Sequence, residues 1–357
     1  MASASVSVAS KQPVLNHGPK PAGHVGMAAA PINWPPTVAA RFQDPKFLGR
    51  GIFGQVYAAW DTVTKQLVAV KQLSGRSTDE FAPTGPVEFA QEVSALEACR
   101  GHPNVVRLVD SVDADADCGD RFIVMEFAGK VNLRWYSQRR RDEGRPFTEG
   151  EVRDAMAQLL SGVACAHHAR VVHREVVPEN VVVHDEALQQ ETTTTGSNKR
   201  KKARVRYRIC GFNTSERAGG AEAKDGSSQW VSSGPYRAPE LFLGSTDYDE
   251  RVDMWGIGCV MAELLAGSDE PFFGSGSDQD VLKRIARLDV VPDRRRGPLR
   301  EAFPKDVLSR AGFDVLSGLL ETNPRRRITA AAALKMPWFR CRGFGACFGS
   351  PVACASI

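Results

Sequence analysis

Hydrophobic and polar positions along this chain change period at defined points, and those changes mark the expected elements. Residues 1–41 are rich in Ala, Ser, Pro and Val and lack any acidic residue. Such a stretch buries too little apolar surface to offset its ordering entropy, so a disordered tail is expected, with order beginning at Phe42. Val68-Ala69-Val70-Lys71 and Phe122-Ile123-Val124-Met125-Glu126-Phe127 read as strands, as do Val181-Val182-Val183 and Tyr207-Arg208-Ile209-Cys210. Val93 and Leu96 are spaced for one helical face. So are Met156, Leu159, Leu160 and Val163 within 152–168.

Composition narrows the classes. A hydrophobic content of 42% and a charged content of 25% in 357 residues are those of a globular protein. The net charge of +4 is too small to imply a nucleic-acid partner by itself. No apolar run approaches the roughly 18 residues of a membrane span; the longest candidate, 256–267, contains Glu263. Eight cysteines spread through a chain this long do not form a disulfide framework, and a reducing compartment is expected. The amino terminus lacks a secretory signal, and its single Arg with several prolines sets it apart from a transit peptide.

Candidate chemistry begins at Leu48-Gly49-Arg50-Gly51-Ile52-Phe53-Gly54-Gln55-Val56, which fits Gly-x-Gly-x-x-Gly-x-Val. Glycines let a backbone approach phosphates closely, although a Gly-rich hairpin turn alone is common. Lys71 ends a strand pattern at the right distance, and Glu92 stands on the helical stretch that follows, with Glu88 one turn earlier as its competitor. Farther on come His173-Arg174-Glu175-Val176-Val177-Pro178-Glu179-Asn180, then Gly211-Phe212-Asn213, Ala238-Pro239-Glu240 and Asp253-Met254-Trp255-Gly256.

Together these motifs resemble the protein kinases over residues 42–339, and within them the cyclin-dependent branch. The resemblance implies an α+β, two-lobed fold, with an N-lobe over 42–128, a C-lobe over 129–339 and a basic insert at 185–206. It implies ATP held by Leu48, Gly49, Gly51, Gly54, Val56, Ala69, Lys71 and Glu92. The strand residue Met125, the backbone of Glu126 and Ala128, and Val182 would surround the adenine. It also implies a column of Leu96, Leu108, His173 and Phe212 above Asp253, and a Glu240–Arg327 pair.

The departures fall on the chemistry. The family's catalytic loop reads His-Arg-Asp-Leu-Lys-Pro-Glu-Asn, in which the Asp takes the substrate proton and the Asn holds a metal. Glu175 occupies the Asp position and Val177 the Lys position, while Asn180 is kept. Asp-Phe-Gly, whose Asp binds the bridging metal, has become Gly211-Phe212-Asn213. Neither Asp185 nor Asp225 is placed to replace that acid. Mg2+ is therefore not expected, and the expected protein is a pseudokinase acting by binding and scaffolding. The rival reading is a Ser/Thr kinase with Glu175 as base, Lys71 and Glu92 on the phosphates and Asn180 on one metal.

Regulation and partners follow the same resemblance. The family's activating Thr maps to Ser228, whose phosphate would pair with Arg174, and its inhibitory Thr and Tyr are Ile52 and Phe53. The helix that would meet a cyclin does not carry Pro-Ser-Thr-Ala-Ile-Arg-Glu, so protein partners are expected but cyclin is not. Seven of the ten residues from Lys199 to Arg208 are basic, a run that resembles a nuclear localisation signal. A nuclear or cytoplasmic location is expected, with nucleic-acid binding by the insert as a further alternative. Cys354 lies four from the end, with Cys347 nearby. Ser356 and Ile357 suit prenylation poorly, so residues 340–357 read as a flexible tail without a membrane anchor.

Overall fold

The computed structural model describes residues 32, 34–51, 54–73, 86–113, 120–187, 204–218, 234–289 and 297–340. The N-terminal lobe is an antiparallel sheet of β1 (Phe42–Gly51), β2 (Gly54–Asp61), β3 (Gln66–Leu73), β4 (Leu108–Asp113) and β5 (Arg121–Glu126). Its strand order is β1-β2-β3-β5-β4. Alternation along the strands divides the two faces. Tyr57, Ala59, Val68, Val70, Phe122 and Val124 form one apolar cluster, while Leu73, Ile123 and Met125 join the main core on the other side. Lys71 shares that second face, opposite Ile123 of β5 and Val56 of β2.

The first face is covered by a segment expected to lack order. Residues 36–41 form helix α1, and Trp34 and Val38 are buried. Trp34 meets Tyr57 edge-on at 5.3 Å and Phe122 at 6.0 Å, and its indole N–H donates to Gln72 at 3.0 Å. Arg41 closes the helix onto the buried Asp61 at 3.0 Å. The tail boundary at Arg41 is thereby corrected to the region of Trp34. Composition averaged over 41 residues hid one aromatic that brings a large apolar area to an open sheet face. Pro36, in the first turn, suits a helix start.

Helix α2 (Pro86–Ala98) packs beneath the sheet. The second lobe is mainly helical, built on α3 (Leu133–Asp142), α4 (Glu149–His168) and a buried helix over Arg251–Ala266. Thr148 and Glu151 cap each other's backbone at the start of α4, which fixes where that helix begins. Short strands β6 (Val131–Asn132), β7 (Val171–Val172), β8 (Val181–Asp185), β9 (Val205–Ile209) and β10 (Glu216–Arg217) line its upper surface.

The expected insert is shorter than 185–206. Asp185 pairs with Val205 and His184 with Arg206, so both ends of that span are strand. Tyr207 and Ile209 face inward, while Arg206 is exposed. Two of the seven basic residues, Arg206 and Arg208, thus belong to β9; Lys199–Lys202 lie outside the described residues.

Candidate functional site: the cleft between the lobes

The site is organised by Lys71, which is 8% exposed on β3. Its Nζ donates to Glu92 Oε2 at 2.5 Å and to Asn213 Oδ1 at 3.1 Å. Glu92 reaches it because Glu92, Ala95 and Leu96 stand at i, i+3 and i+4 on the buried face of α2. Glu92 rather than Glu88 is therefore the partner. Breaking such a buried pair by removing one member costs about 3–5 kcal/mol.

Above Lys71 the β1–β2 turn carries the glycines. Gly51 pairs with Gly54 and Gly49 with Val56, with Leu48 half-buried beside them. Gly54 has φ +146°, and a Cβ there would lie 2.0 Å from Gln72 O, so no other residue fits. Ile52 and Phe53, at the tip, lie outside the described residues. On the opposite edge Met125 is buried, while Val56, Ala69 and Val182 are half-buried. The Glu126 N–H donates to Arg107 O at 2.9 Å. Arg208 draws within 3.4 Å of the Glu126 carboxylate and donates to Ala128 O at 3.5 Å, bracing this connection from β9.

Below the cleft the catalytic loop is rigidly held. Asp253 accepts the backbone N–H of His173 at 2.9 Å and of Arg174 at 2.7 Å, and bonds His167 Nε2 at 2.8 Å. Burial works to raise the Asp253 carboxyl, but His167, His173 and these N–H groups take it below its ordinary value. His173 packs against Phe212 with the rings tilted by 57° and their centroids 4.5 Å apart. Its Nε2 faces Cys210 O at 3.0 Å and its Nδ1 accepts from Glu175 N–H at 3.2 Å, which selects the neutral tautomer. Burial lowers its pKa in accord. Leu96, Leu108, His173 and Phe212 are all buried above Asp253. Arg327 meets Glu240 through two parallel bonds of 2.7 and 2.8 Å.

The reacting edge differs. Gly211 is left-handed, with φ 79° and ψ 47°. A Cβ on it would lie 2.5 Å from Asn180 Oδ1, so Asn180 occupies the space a side chain would need. Asn180 Nδ2 donates to Glu175 O at 3.0 Å. Val177 is 4% exposed and joins the apolar core.

These residues do not fit a magnesium ion. That ion binds through carboxylates and phosphates, and Gly211 supplies no side chain. Of the two amide oxygens nearby, Asn213 Oδ1 already accepts from the Lys71 ammonium and Asn180 Oδ1 lies against Gly211, and neither is a carboxylate. Among the described residues no group of three His, Cys, Asp or Glu is placed to hold a metal.

Arg174, expected to await a phosphate on Ser228, is engaged within its own lobe. It donates to Thr214 O at 2.5 Å, to Glu216 at 2.9 Å and to the Tyr248 hydroxyl at 3.0 Å. Tyr248 in turn donates to Glu216 at 2.7 Å. Ser228 lies outside the described residues. Glu216, Tyr248 and Asn213 were missed from sequence. The one available signal was Asn213, a side chain where the resembling motif has glycine.

A two-lobed fold with a buried Lys–Glu pair, a glycine hairpin and an Asp-anchored loop defines a scaffold of the kinase class. Comparison with known proteins agrees. The protein kinase domain profile matches residues 42–339. The chain is 41% identical over 320 residues to a protein named "Putative cyclin-dependent kinase F-2" from Oryza sativa subsp. japonica, covering 82% of this chain and 88% of that one. It is 32% identical over 318 residues to cell division control protein 2 homolog 3 of Trypanosoma brucei brucei, covering 84% and 92%. It is 31% identical over 326 residues to cyclin-dependent kinase G1 of Arabidopsis thaliana, covering 84% of this chain and 48% of that one. The chain belongs to the protein kinase family and resembles its cyclin-dependent members.

Proposed function

We propose that this protein is a pseudokinase that binds a nucleoside phosphate without metal and acts by holding protein partners. The reading rests on Gly211, which lacks the carboxylate and whose side-chain space Asn180 fills. A metal clamp on a transferring phosphoryl group is worth several kcal/mol, and each ~1.4 kcal/mol is tenfold in rate. A positioned base adds roughly 10²–10⁴, of which the longer Glu175 keeps a part. Such losses do not simply add, because catalytic groups act as a unit. Lys71, Glu92, the glycine hairpin, Met125 and Val182 supply the nucleotide site, with the Glu126 and Ala128 backbone facing the base.

Phosphotransfer of purified protein to a generic Ser/Thr substrate tests this. Wild type is expected at background, and Gly211→Asp with Val177→Lys is expected to raise turnover. Ordinary kinase turnover by the unmodified protein would refute the proposal. The rival, an active Ser/Thr kinase using Glu175, draws on one observation: the Lys71–Glu92 pair is already assembled. The cyclin-dependent names of its relatives make a protein partner the natural search. The sequence of α2 gives no reason to name a cyclin. A nuclear or cytoplasmic location is part of the proposal, and an alanine variant of Lys199–Lys202 that stays out of the nucleus would support the nuclear half.

A further inference from the structure

Asn213 stands where a protein kinase carries glycine, and its amide is 4% exposed beside Lys71. A lysine ammonium has donors only, so the amide oxygen must be the atom that faces it. That oxygen accepts from Nζ at 3.1 Å. The amide nitrogen is left buried with no hydrogen-bond partner. An unmade bond of this kind is costly, and native proteins keep few of them.

We propose that Asn213 is a phosphate ligand of this cleft. On binding, the Asn213 side chain turns to bring its otherwise buried Nδ2–H into the cleft, where it hydrogen-bonds an oxygen of a nucleoside di- or triphosphate bound without a divalent cation. The inference rests on the metal-free reading above and names the residue that makes it workable. A polyphosphate without its cation keeps its full negative charge, and Lys71 is partly neutralised by Glu92. A carboxylate at position 211 would repel that charge, and glycine removes the repulsion. A neutral amide two residues on then adds a donor within one amide's width of the Lys71 contact. An aspartate binds phosphate only through a metal, whereas an asparagine donates to it directly.

The test is calorimetric titration of the full chain with ATP in EDTA, repeated with adenosine. Asn213→Ala and Asn213→Gly are expected to weaken ATP roughly ten- to a hundredfold, as for one lost bond to a charged group. Adenosine, which has no phosphate, is expected to bind all three proteins alike. Asn213→Asp keeps an acceptor for Lys71 but replaces the donor with a repelling oxygen, so its ATP affinity in EDTA is expected to fall further. Melting temperatures without nucleotide identify which variants are folded, and Asn213→Gly carries the test if Asn213→Ala is not. ATP affinity in EDTA unchanged in a folded variant overturns the role of Asn213 while leaving metal-free binding intact. Failure of the wild type to bind ATP in EDTA overturns that reading and this inference together.

Discussion

Asp253 and Gly211 both adjoin the His173–Phe212 pair, Asp253 through the His173 N–H and Gly211 as the chain neighbour of Phe212, and their surroundings differ. Around Asp253 two backbone N–H groups and His167 converge on one buried carboxylate. Around Gly211 the acid is gone, a neighbouring amide has moved into its space and a valine packs where a lysine is expected. The difference follows from what each polar group does for the fold. A carboxylate that satisfies buried donors cannot be removed without orphaning them, so its loss costs folding itself. A carboxylate that faces a cleft serves only the ligand, and the fold survives without it.

The strongest way to break this contrast is to remove a frame charge. Glu240→Ala leaves Arg327, which is 2% exposed, without its bidentate partner, and an expected loss of about 3–5 kcal/mol should appear in urea denaturation. Gly211→Asp, by contrast, should shift stability far less, because Asn180 can swing aside and aspartate tolerates the left-handed region better than most residues. Equal losses in both variants would erase the distinction between frame and cleft.

A second probe is acid. The folded pKa of His173 lies below its unfolded value, so between the two the unfolded chain binds the additional proton. Stability is then complete above the unfolded value near 6.5 and falls as pH drops toward the lower folded value. The slope is up to about 1.4 kcal/mol per pH unit for this one group. His102, whose pKa burial also lowers, adds to the same limb. Asp253 acts later: its depressed pKa keeps its contribution intact above about 4 and releases it as pH falls through the folded value. Unfolding midpoints that stay flat between pH 7 and 5 would contradict the neutral His173 assigned from its two partners.

The smallest effect concerns Arg174. Glu216→Gln removes the charge that neutralises it, at an expected cost of about 1 kcal/mol for this largely buried contact, read as a lowered midpoint. In that variant a phosphate on Ser228 is expected to stabilise the protein, and in wild type to do so weakly. A strong stabilisation of wild type by phosphate would show that Glu216 yields the pocket.

Much of the frame was legible because its residues are specified by local pattern or fixed spacing. The Lys71 strand, the Glu92 helix and the loss of acid at Gly211 each show in a few consecutive residues. Trp34 was not legible, since a lone aromatic in a small-residue tail has no period, and only an open sheet face gives it a place. The basic run was legible only in part: Arg206 and Arg208 alternate with Tyr207 and Ile209 along β9, while Lys199–Lys202 lie outside the described residues.

Sequence alone determined the lobes, their order and which catalytic charges are missing, because periodicity and residue identity are local properties of the chain. Tertiary structure decided the partners. Asn213 meets Lys71 across 142 positions, and Arg174 meets Glu216 across 42. Such pairings follow from packing segments that are distant along the chain, and no window of neighbouring residues encodes them.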